Sequence, residues 1–516
     1  MRTAGPGSLI SLAEPLPGRE VHPGVTVSQP LRSCLCGALL CVAGGADPAL
    51  ADDERIRLPD MGDSSSTVYT AADDAKLARE FMRQIRRRAK VIEDPVIADY
   101  VARLGARLAA HAEDPLRGFT FFVLLDPTIN AFAGPGAYIG VHTGLITTAQ
   151  TEGELAAVLA HEIAHVTQNH LSRRFELASQ MALPTAAALI AAIALGMSAG
   201  ASGGIAAAAA VQAGALQQQI NFTRANEQEA DRIGLALLAG TGFDPRSMPA
   251  FLEQMQRATQ IEQTKLPEYL LTHPITSNRV ADTRARAETY PYKQTESELE
   301  FFIVRERIAL ADETRTDLAV SQRRAALESG RHRNADAARY GLALALSRAG
   351  RHDEAEAEAA SLARRLPDEP TIAALRGEVA FARGNFAQAR NLLAGAIATH
   401  PGNPVLAVPY ARALLAVNEP AEARRVLSRL IEDGYGGVEV YRLAADAASR
   451  ANDLADGYLF QAEFHYLSGN TEAAVRQLEL AQGLKNVDFY QRARIDARLK
   501  EVREVLAEEK KDKRTG

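Results

Sequence analysis

Three series of residues repeat at one interval in the C-terminal half of this 516-residue chain. Gly350, Gly384 and Asn418 are spaced by 34 residues, and so are Ala355, Ala389 and Ala423, and the pair Pro367 and Pro401. In an Ala-rich stretch, a turn former and a small residue at fixed offsets specify one helix pair per unit. A lone pair cannot bury its apolar face, so neighbouring pairs must stack and share one core. Gly377 takes a small-residue position, at a close helix crossing, in the second unit. The pattern predicts an α-solenoid over residues 292–505. Helices within 298–327 open it, a further unit lies near Gly469 and Ala474, and a charged tail, 506–516, ends the chain.

Thirty-four residues is the tetratricopeptide period, and such arrays present a concave, peptide-binding face. Tyr340, Tyr410, Tyr441, Tyr458, Phe460 and Tyr466 fall on that face or in the core, and the periodicity does not separate the two. An array of this kind recognises partners rather than performing chemistry.

The chemistry lies in the preceding segment, 52–291. His161-Glu162-Ile163-Ala164-His165 reads H-E-x-x-H. Leu155, Val158, Leu159, Ile163 and Val166 recur at helical spacing, and Thr151 with Glu154 fits a capping box. Two His four apart on a helix share one face and reach one metal ion, with Glu162 beside them as general base. One Zn2+ per chain is expected, since zinc with an open position serves peptide hydrolysis near neutral pH. Downstream, Glu227 and Asp231 stand one helical turn apart. Glu227 is the candidate third ligand, and Asp231 a candidate acceptor for the far N–H of a ligand His. Glu229 is expected to face solvent. His170 does not fit the longer H-E-x-x-H-x-x-G-x-x-H pattern, because Gln168 and Leu171 stand where that pattern has Gly and His; it reads as structural or supporting.

These residues resemble peptidase family M48. The resemblance extends upstream through the strand-like run Phe119 to Leu125, Asn130-Ala131-Phe132-Ala133, Pro135-Gly136, the run Tyr138 to His142, and Gly144-Leu145-Ile146. It continues through Leu58-Pro59-Asp60-Met61-Gly62, Gly242-Phe243-Asp244-Pro245 and Leu271-Thr272-His273-Pro274. Within the family it points to a periplasmic branch with a helical-repeat tail, and it covers nearly all of the chain after the first fifty or so residues. It implies His161, His165 and Glu227 as zinc ligands, Glu162 as the base, and His273 as an extra ligand that holds the enzyme closed. It also implies misassembled outer-membrane proteins as substrates and the outer-membrane barrel assembly machinery as partner. From the residues alone, His273 sits in Thr-His-Pro, where Pro274 favours an extended backbone suited to a loop. Arg279 is open between three roles: stabilising an oxyanion in the transition state, binding a carboxylate, and lying on a helix surface.

A net charge of −6 leaves no basic field for nucleic acid. Arg32, the apolar run 35–46 and Ala49-Leu50-Ala51 before Asp52 have the layout of a signal peptide over residues 1–51, with a long n-region. All three Cys (Cys34, Cys36 and Cys41) lie inside it, so the exported chain would have none. Residues 181–216 are rich in Ala and Gly, and their apolar part is too short to span a bilayer. They read as two helices packed in a hairpin near the cleft or resting peripherally on a membrane.

The expected fold is mainly α: a helical metallopeptidase domain with a small β-sheet, then the solenoid. An extended substrate is expected to add a strand beside Tyr138 to Val141. The expected function is a periplasmic zinc endopeptidase acting on polypeptides. The alternative is a periplasmic chaperone or assembly adaptor with a latent protease site.

Overall fold

A computed structural model describes residues 70–114, 117–180, 213–261, 267–311 and 313–515. The signal-peptide reading, the 58–62 motif and nearly all of the 181–216 segment lie outside the described residues. No helix among the described residues is long and apolar enough to cross a membrane.

Helix α1 (Ala71–Arg88) starts at a capping box between Thr70 and Asp73. Helix α2 (Pro95–Ala109) starts at Asp94, whose carboxylate accepts from the N–H of Val96 and Ile97. Strands β1 (Thr120–Leu124), β2 (Ala131–Gly134) and β3 (Tyr138–His142) form one sheet in the order β1-β3-β2. β3 pairs parallel with β1, Tyr138 opposite Thr120, and antiparallel with β2, Ala131 opposite Val141. This corrects the expectation that a substrate strand adds beside Tyr138 to Val141. That strand is central, with both edges taken. Gly136 and Ala137 adopt φ of 69° and 56°, which folds Pro135–Ala137 into a turn tight enough for β2 to pair back onto β3. The sheet's edge beside the catalytic helix is therefore β2. His142 N–H donates to Asn130 O at 3.0 Å. Antiparallel alternation then turns the backbone groups of Ala131 and Ala133 outward.

A short helix α3 (Thr143–Thr148) leads into α4 (Glu152–Thr167), which carries the H-E-x-x-H residues. Glu154 N–H donates to Thr151 Oγ1, but the Glu154 carboxylate accepts from Gln150 N–H rather than from Thr151, so the expected box is shifted by one residue. Helices α5 (His170–Gln180), α6 (Ala213–Thr241), α7 (Ser247–Ile261), α8 (Glu268–Thr272) and α9 (Ser277–Ala287) complete the peptidase part. α6 packs along α4, and Gly234 makes the close crossing possible. A Cβ there would lie 2.7 Å from Met248 Cε and 3.3 Å from the His161 nitrogen.

The solenoid consists of six helix pairs. They are α10 (Leu299–Ala311) with α11 (Thr316–Glu328), α12 (Ala335–Arg348) with α13 (His352–Arg365), and α14 (Pro370–Ala382) with α15 (Phe386–Thr399). Then come α16 (Pro404–Ala416) with α17 (Pro420–Glu432), α18 (Val438–Arg450) with α19 (Leu454–Leu467), and α20 (Thr471–Gln482) with α21 (Phe489–Thr515). The register residues sit where the period places them. Gly350, Gly384 and Asn418 occupy the turn inside a pair with φ of 75°, 84° and 61°, and Asn452 continues the series at 61°. Ala355, Ala389 and Ala423 are fully buried, and Leu393 packs onto Gly377. Tyr340, Tyr410 and Phe460 belong to the core, whereas Tyr441, Tyr458 and Tyr466 are half-buried. The segment expected as a charged tail continues α21 to Thr515.

The array folds back onto the peptidase part. Arg307 on α10 is buried and donates to Asp94 at 2.7 and 2.9 Å, to Glu378 at 3.1 and 3.2 Å, and to the Tyr340 hydroxyl. Glu93 Oε2 lies against Gly437 at the N-terminus of α18; burial pushes its carboxyl up, with Arg86 and the helix's first backbone N–H groups opposing. At the far end, Arg83 pairs with Glu509, and Arg87 donates to Gly469 O at 3.2 Å, which ties α1 to the last helix pair. Removing Arg307 leaves Asp94 and Glu378 facing each other without their cation. Arg307→Met is expected to cost about 2–3 kcal/mol by urea denaturation. That is below the ~3–5 kcal/mol of breaking a fully buried pair, because both carboxylates keep about a quarter of their surface. An unchanged midpoint would show that the junction does not depend on this cluster.

Candidate metal centre

Four side chains from three elements converge where α4 crosses α6. His161 and His165 come from α4 and Glu227 from α6, and His273 follows the last turn of α8. One donor atom from each lies within 4.8 Å of the others. His161 Nε2 is 3.0 Å from His165 Nε2, 3.3 Å from Glu227 Oε2 and 3.2 Å from His273 Nδ1. Glu227 Oε1 is 3.4 Å from His165 Nε2, and both its oxygens are 3.2 Å from His273 Nδ1. Four ligands at the ~2.0–2.1 Å of zinc–nitrogen and zinc–oxygen bonds are roughly 3.3 Å apart in a tetrahedron, so the cluster has the size of a four-coordinate metal site. Its charge agrees. Among the groups bonded at the centre, Glu162, Glu227 and Asp231 supply three carboxylates against the one guanidinium of Arg279, a formal −2 that a divalent cation balances.

The surrounding groups fix the four candidate ligands. His161 Nδ1 is 3.0 Å from Asp231 Oδ1. Arg279 donates to both Asp231 oxygens at 2.7 Å, to Glu227 Oε2 at 2.8 Å and to Pro274 O at 3.0 Å. Of the roles open to it from sequence, the geometry has Arg279 gripping carboxylates from a buried position, not lying on the surface. Thr276 caps α9 and sets Arg279 on its first turn. His273 Nε2 lies 3.3 Å from Glu162 Oε1, so one imidazole faces the cluster with one nitrogen and the candidate base with the other. Tyr269 stacks on the His273 ring at 4.8 Å, and its own N–H donates to Ile129 O beside β2. Sequence reasoning did not single out Tyr269. Its spacing of four from His273 on a short helix was the available signal.

The electrostatics are uneven. Burial opposes charge on His161, but bonds to Asp231 and Glu227 outweigh it and lift the imidazole to about 9. Burial dominates at His165 and pushes it down to about 3. Burial also works against the Glu227 carboxylate, yet His273, His161 and His165 together hold it well below the usual range.

Two supporting residues differ in placement from expectation or extend it. His170 is buried, with Nδ1 at 2.9 Å from His165 Nδ1 and Nε2 at 3.2 Å from Glu229 Oε2. Glu229 was expected in solvent. It is instead half-buried and also accepts from Arg173 at 2.9 Å, because the turn after α4 brings α5 back over α6.

The model of peptidase family M48 matches residues 96–287, and a tetratricopeptide model matches 380–447. The β-barrel assembly-enhancing protease of Escherichia coli K12 is 33% identical over 463 residues, covering 90% of this chain and 94% of that protein. A Vibrio cholerae candidate for the same protease is 35% identical over 481 residues, covering 92% and 97%. The chain belongs to the β-barrel assembly-enhancing proteases of peptidase family M48. A shorter likeness, 45% over 60 residues, reaches the mitochondrial metalloendopeptidase OMA1 of Danio rerio, covering 11% of this chain and 13% of that protein. The protein is thus a metalloendopeptidase of mainly α fold with tetratricopeptide repeats, and as an M48 peptidase it carries a His-rich group able to hold a metal.

Because a ligand His must be neutral, metal and proton compete for His161 below pH about 9. Metal uptake by the metal-free protein is therefore expected to release about one proton at pH 7, and its affinity to rise with pH up to about 9. Calorimetry in two buffers of different protonation enthalpy measures this. No net release at pH 7 would mean that His161 is already neutral.

Proposed function

We propose that this protease is a zinc endopeptidase of the periplasm that cleaves β-barrel outer-membrane proteins which fail to assemble. Its parts are a signal peptide over 1–51, a peptidase domain over 52–291 and a repeat domain over 292–505. His161, His165 and Glu227 hold zinc, His273 takes the fourth position in the resting enzyme, and Asp231 with Arg279 positions the ligands. The observation that carries this reading is the set of four donor atoms within 4.8 Å of one another, with the Glu162 carboxylate beside it. A His2Glu set suits zinc and leaves one position for chemistry once His273 withdraws. Held by His161, His165 and Glu227, zinc would supply Lewis-acid chemistry for hydrolysis of the peptide bond.

The chain's own residues supply the rest. Glu162 takes a proton from the attacking water and returns it to the leaving amine. Glu162 is buried, which keeps its carboxylate at the reacting bond. Along β2 the outward backbone groups of Ala133 are partly exposed while those of Ala131 are buried, so an extended substrate is offered one rung of pairing there. Arg279 stays on Asp231 and Glu227, and its part is to orient ligands rather than to bind an oxyanion. The relatives are named for enhancing β-barrel assembly; β-barrel substrates, and a docking role for the repeats on the outer-membrane barrel assembly machinery, extend that name as part of this proposal.

Closure by His273 also suits the adaptor reading, in which the protease is silent most of the time. Casein cleavage by the zinc-loaded full chain tests both. Glu162→Gln is expected to lower cleavage by ~10²–10⁴-fold while zinc content is unchanged. His273→Ala is expected to raise it about tenfold, the effect of removing a closure worth about 1.4 kcal/mol. Wild-type and Glu162→Gln proteins of equal activity would sink the peptidase assignment. A Glu162→Gln protein that fully supports outer-membrane assembly in cells would favour the adaptor.

A further inference from the structure

His165 presents Nε2 to the donor cluster, 3.0 Å from His161 Nε2 and 3.4 Å from Glu227 Oε1. A ligand imidazole bonding through Nε2 keeps its proton on Nδ1. That Nδ1 is 2.9 Å from His170 Nδ1. Two ring nitrogens at this distance share one proton, so His170 Nδ1 must be bare and its own proton must sit on Nε2. Nε2 is 3.2 Å from Glu229 Oε2, an oxygen that Arg173 also holds at 2.9 Å. The direction of every bond follows: His165 donates to His170, and His170 donates to Glu229.

The backbone is bent to make this contact. On an uninterrupted helix, residue 170 would point about 140° away from residue 165. α4 instead stops at Thr167, Asn169 takes φ of 51°, and α5 begins at His170. A left-handed non-glycine residue costs roughly 1–2 kcal/mol, least for Asn. Arg117 Nη1 secures the bend, donating to Asn169 Oδ1 and Val166 O, each at 3.1 Å.

We infer that His170 is the positioning residue of the second histidine ligand, holding the ring of His165 by accepting its Nδ1–H, with Glu229 as the anchor of the His170 tautomer. The inference rests on the reading of His165 as a ligand. It makes the two histidines of the motif unequal. His161 donates to a carboxylate, and His165 donates to a neutral ring with a carboxylate behind it.

The test uses the metal-free full chain, with zinc titrated against a chromophoric chelator and the visible spectrum of the cobalt-loaded protein recorded. His170→Leu removes the acceptor at similar volume. His170→Asn places Oδ1 near the position of Nδ1 and keeps an acceptor. The Leu variant should bind zinc ~10–100-fold more weakly and shift the cobalt spectrum, and the Asn variant should return both to near the wild type. A Leu variant with wild-type affinity and spectrum would overturn the inference, and so would an Asn variant as weak as Leu, since packing alone would then explain the residue. If Leu prevents folding, Glu229→Ala is the second arm: weaker uptake supports the relay and unchanged uptake overturns it. Wild-type protein that takes up no zinc in the same titration would remove the metal-centre reading itself.

Discussion

The close crossing of α4 and α6 is the constraint from which the active centre follows. At Gly234 the two backbones approach closely: a Cβ there would stand 3.3 Å from the His161 backbone nitrogen and 3.4 Å from the Ala160 carbonyl carbon. Asp231 and Glu227 lie one and two turns before it on the same helix, so the crossing fixes how far these carboxylates stand from the His pair. A Cβ at 234 would displace the end of Met248 and press on the α4 backbone at His161. The crossing also buries three carboxylates and three imidazoles in a small volume. Burying such charges is costly unless they are paired and hydrogen-bonded, and Arg279 meets part of that demand by spanning Asp231 and Glu227. The remaining negative charge is what makes the site suited to a cation.

The repeat array is held on the catalytic part at two ends. Near the start of α2, Arg307, Asp94, Glu378 and Tyr340 form one partly buried polar cluster, and Glu93 lies against the N-terminus of α18. At the other end, α21 meets α1 through Glu509 and Arg83. α1 in turn touches the β2–β3 turn, where Asp74 accepts from Gly136 N–H and Phe81 lies against Gly134. The chain thereby closes on itself, and one helix contacts both the last repeat and the β2–β3 hairpin.

Local pattern carried much of this. The spacing of His161 and His165, and of Glu227 and Asp231, is a property of one helix turn, and a period of 34 is a property of helix pairs. Both are visible in sequence because they are short-range. The same period placed Asn418 in a left-handed turn, and one more step along it would have reached Asn452. What the sequence did not reveal depends on how separate segments meet. Central placement of β3 follows from pairing on both sides, which no alternation within Tyr138–His142 encodes. The side chain of Glu229 is drawn out of solvent by residues nearly sixty positions away. Arg279 reads equally as surface or site until its partners are known, since an Arg on an amphipathic helix suits either. The α21 extension looks like a tail because its charges find their partners on distant segments, on α1 across the domain junction and on the neighbouring α20.

The central claim is a zinc centre closed by its own fourth protein ligand. X-ray absorption at the zinc edge of the full chain tests it most directly, by counting imidazoles around the metal in wild type and in His273→Ala. The account predicts three imidazoles and one carboxylate in the wild type and two imidazoles in the variant. Two imidazoles in both proteins would contradict it, because His273 would then stand beside the metal without binding it.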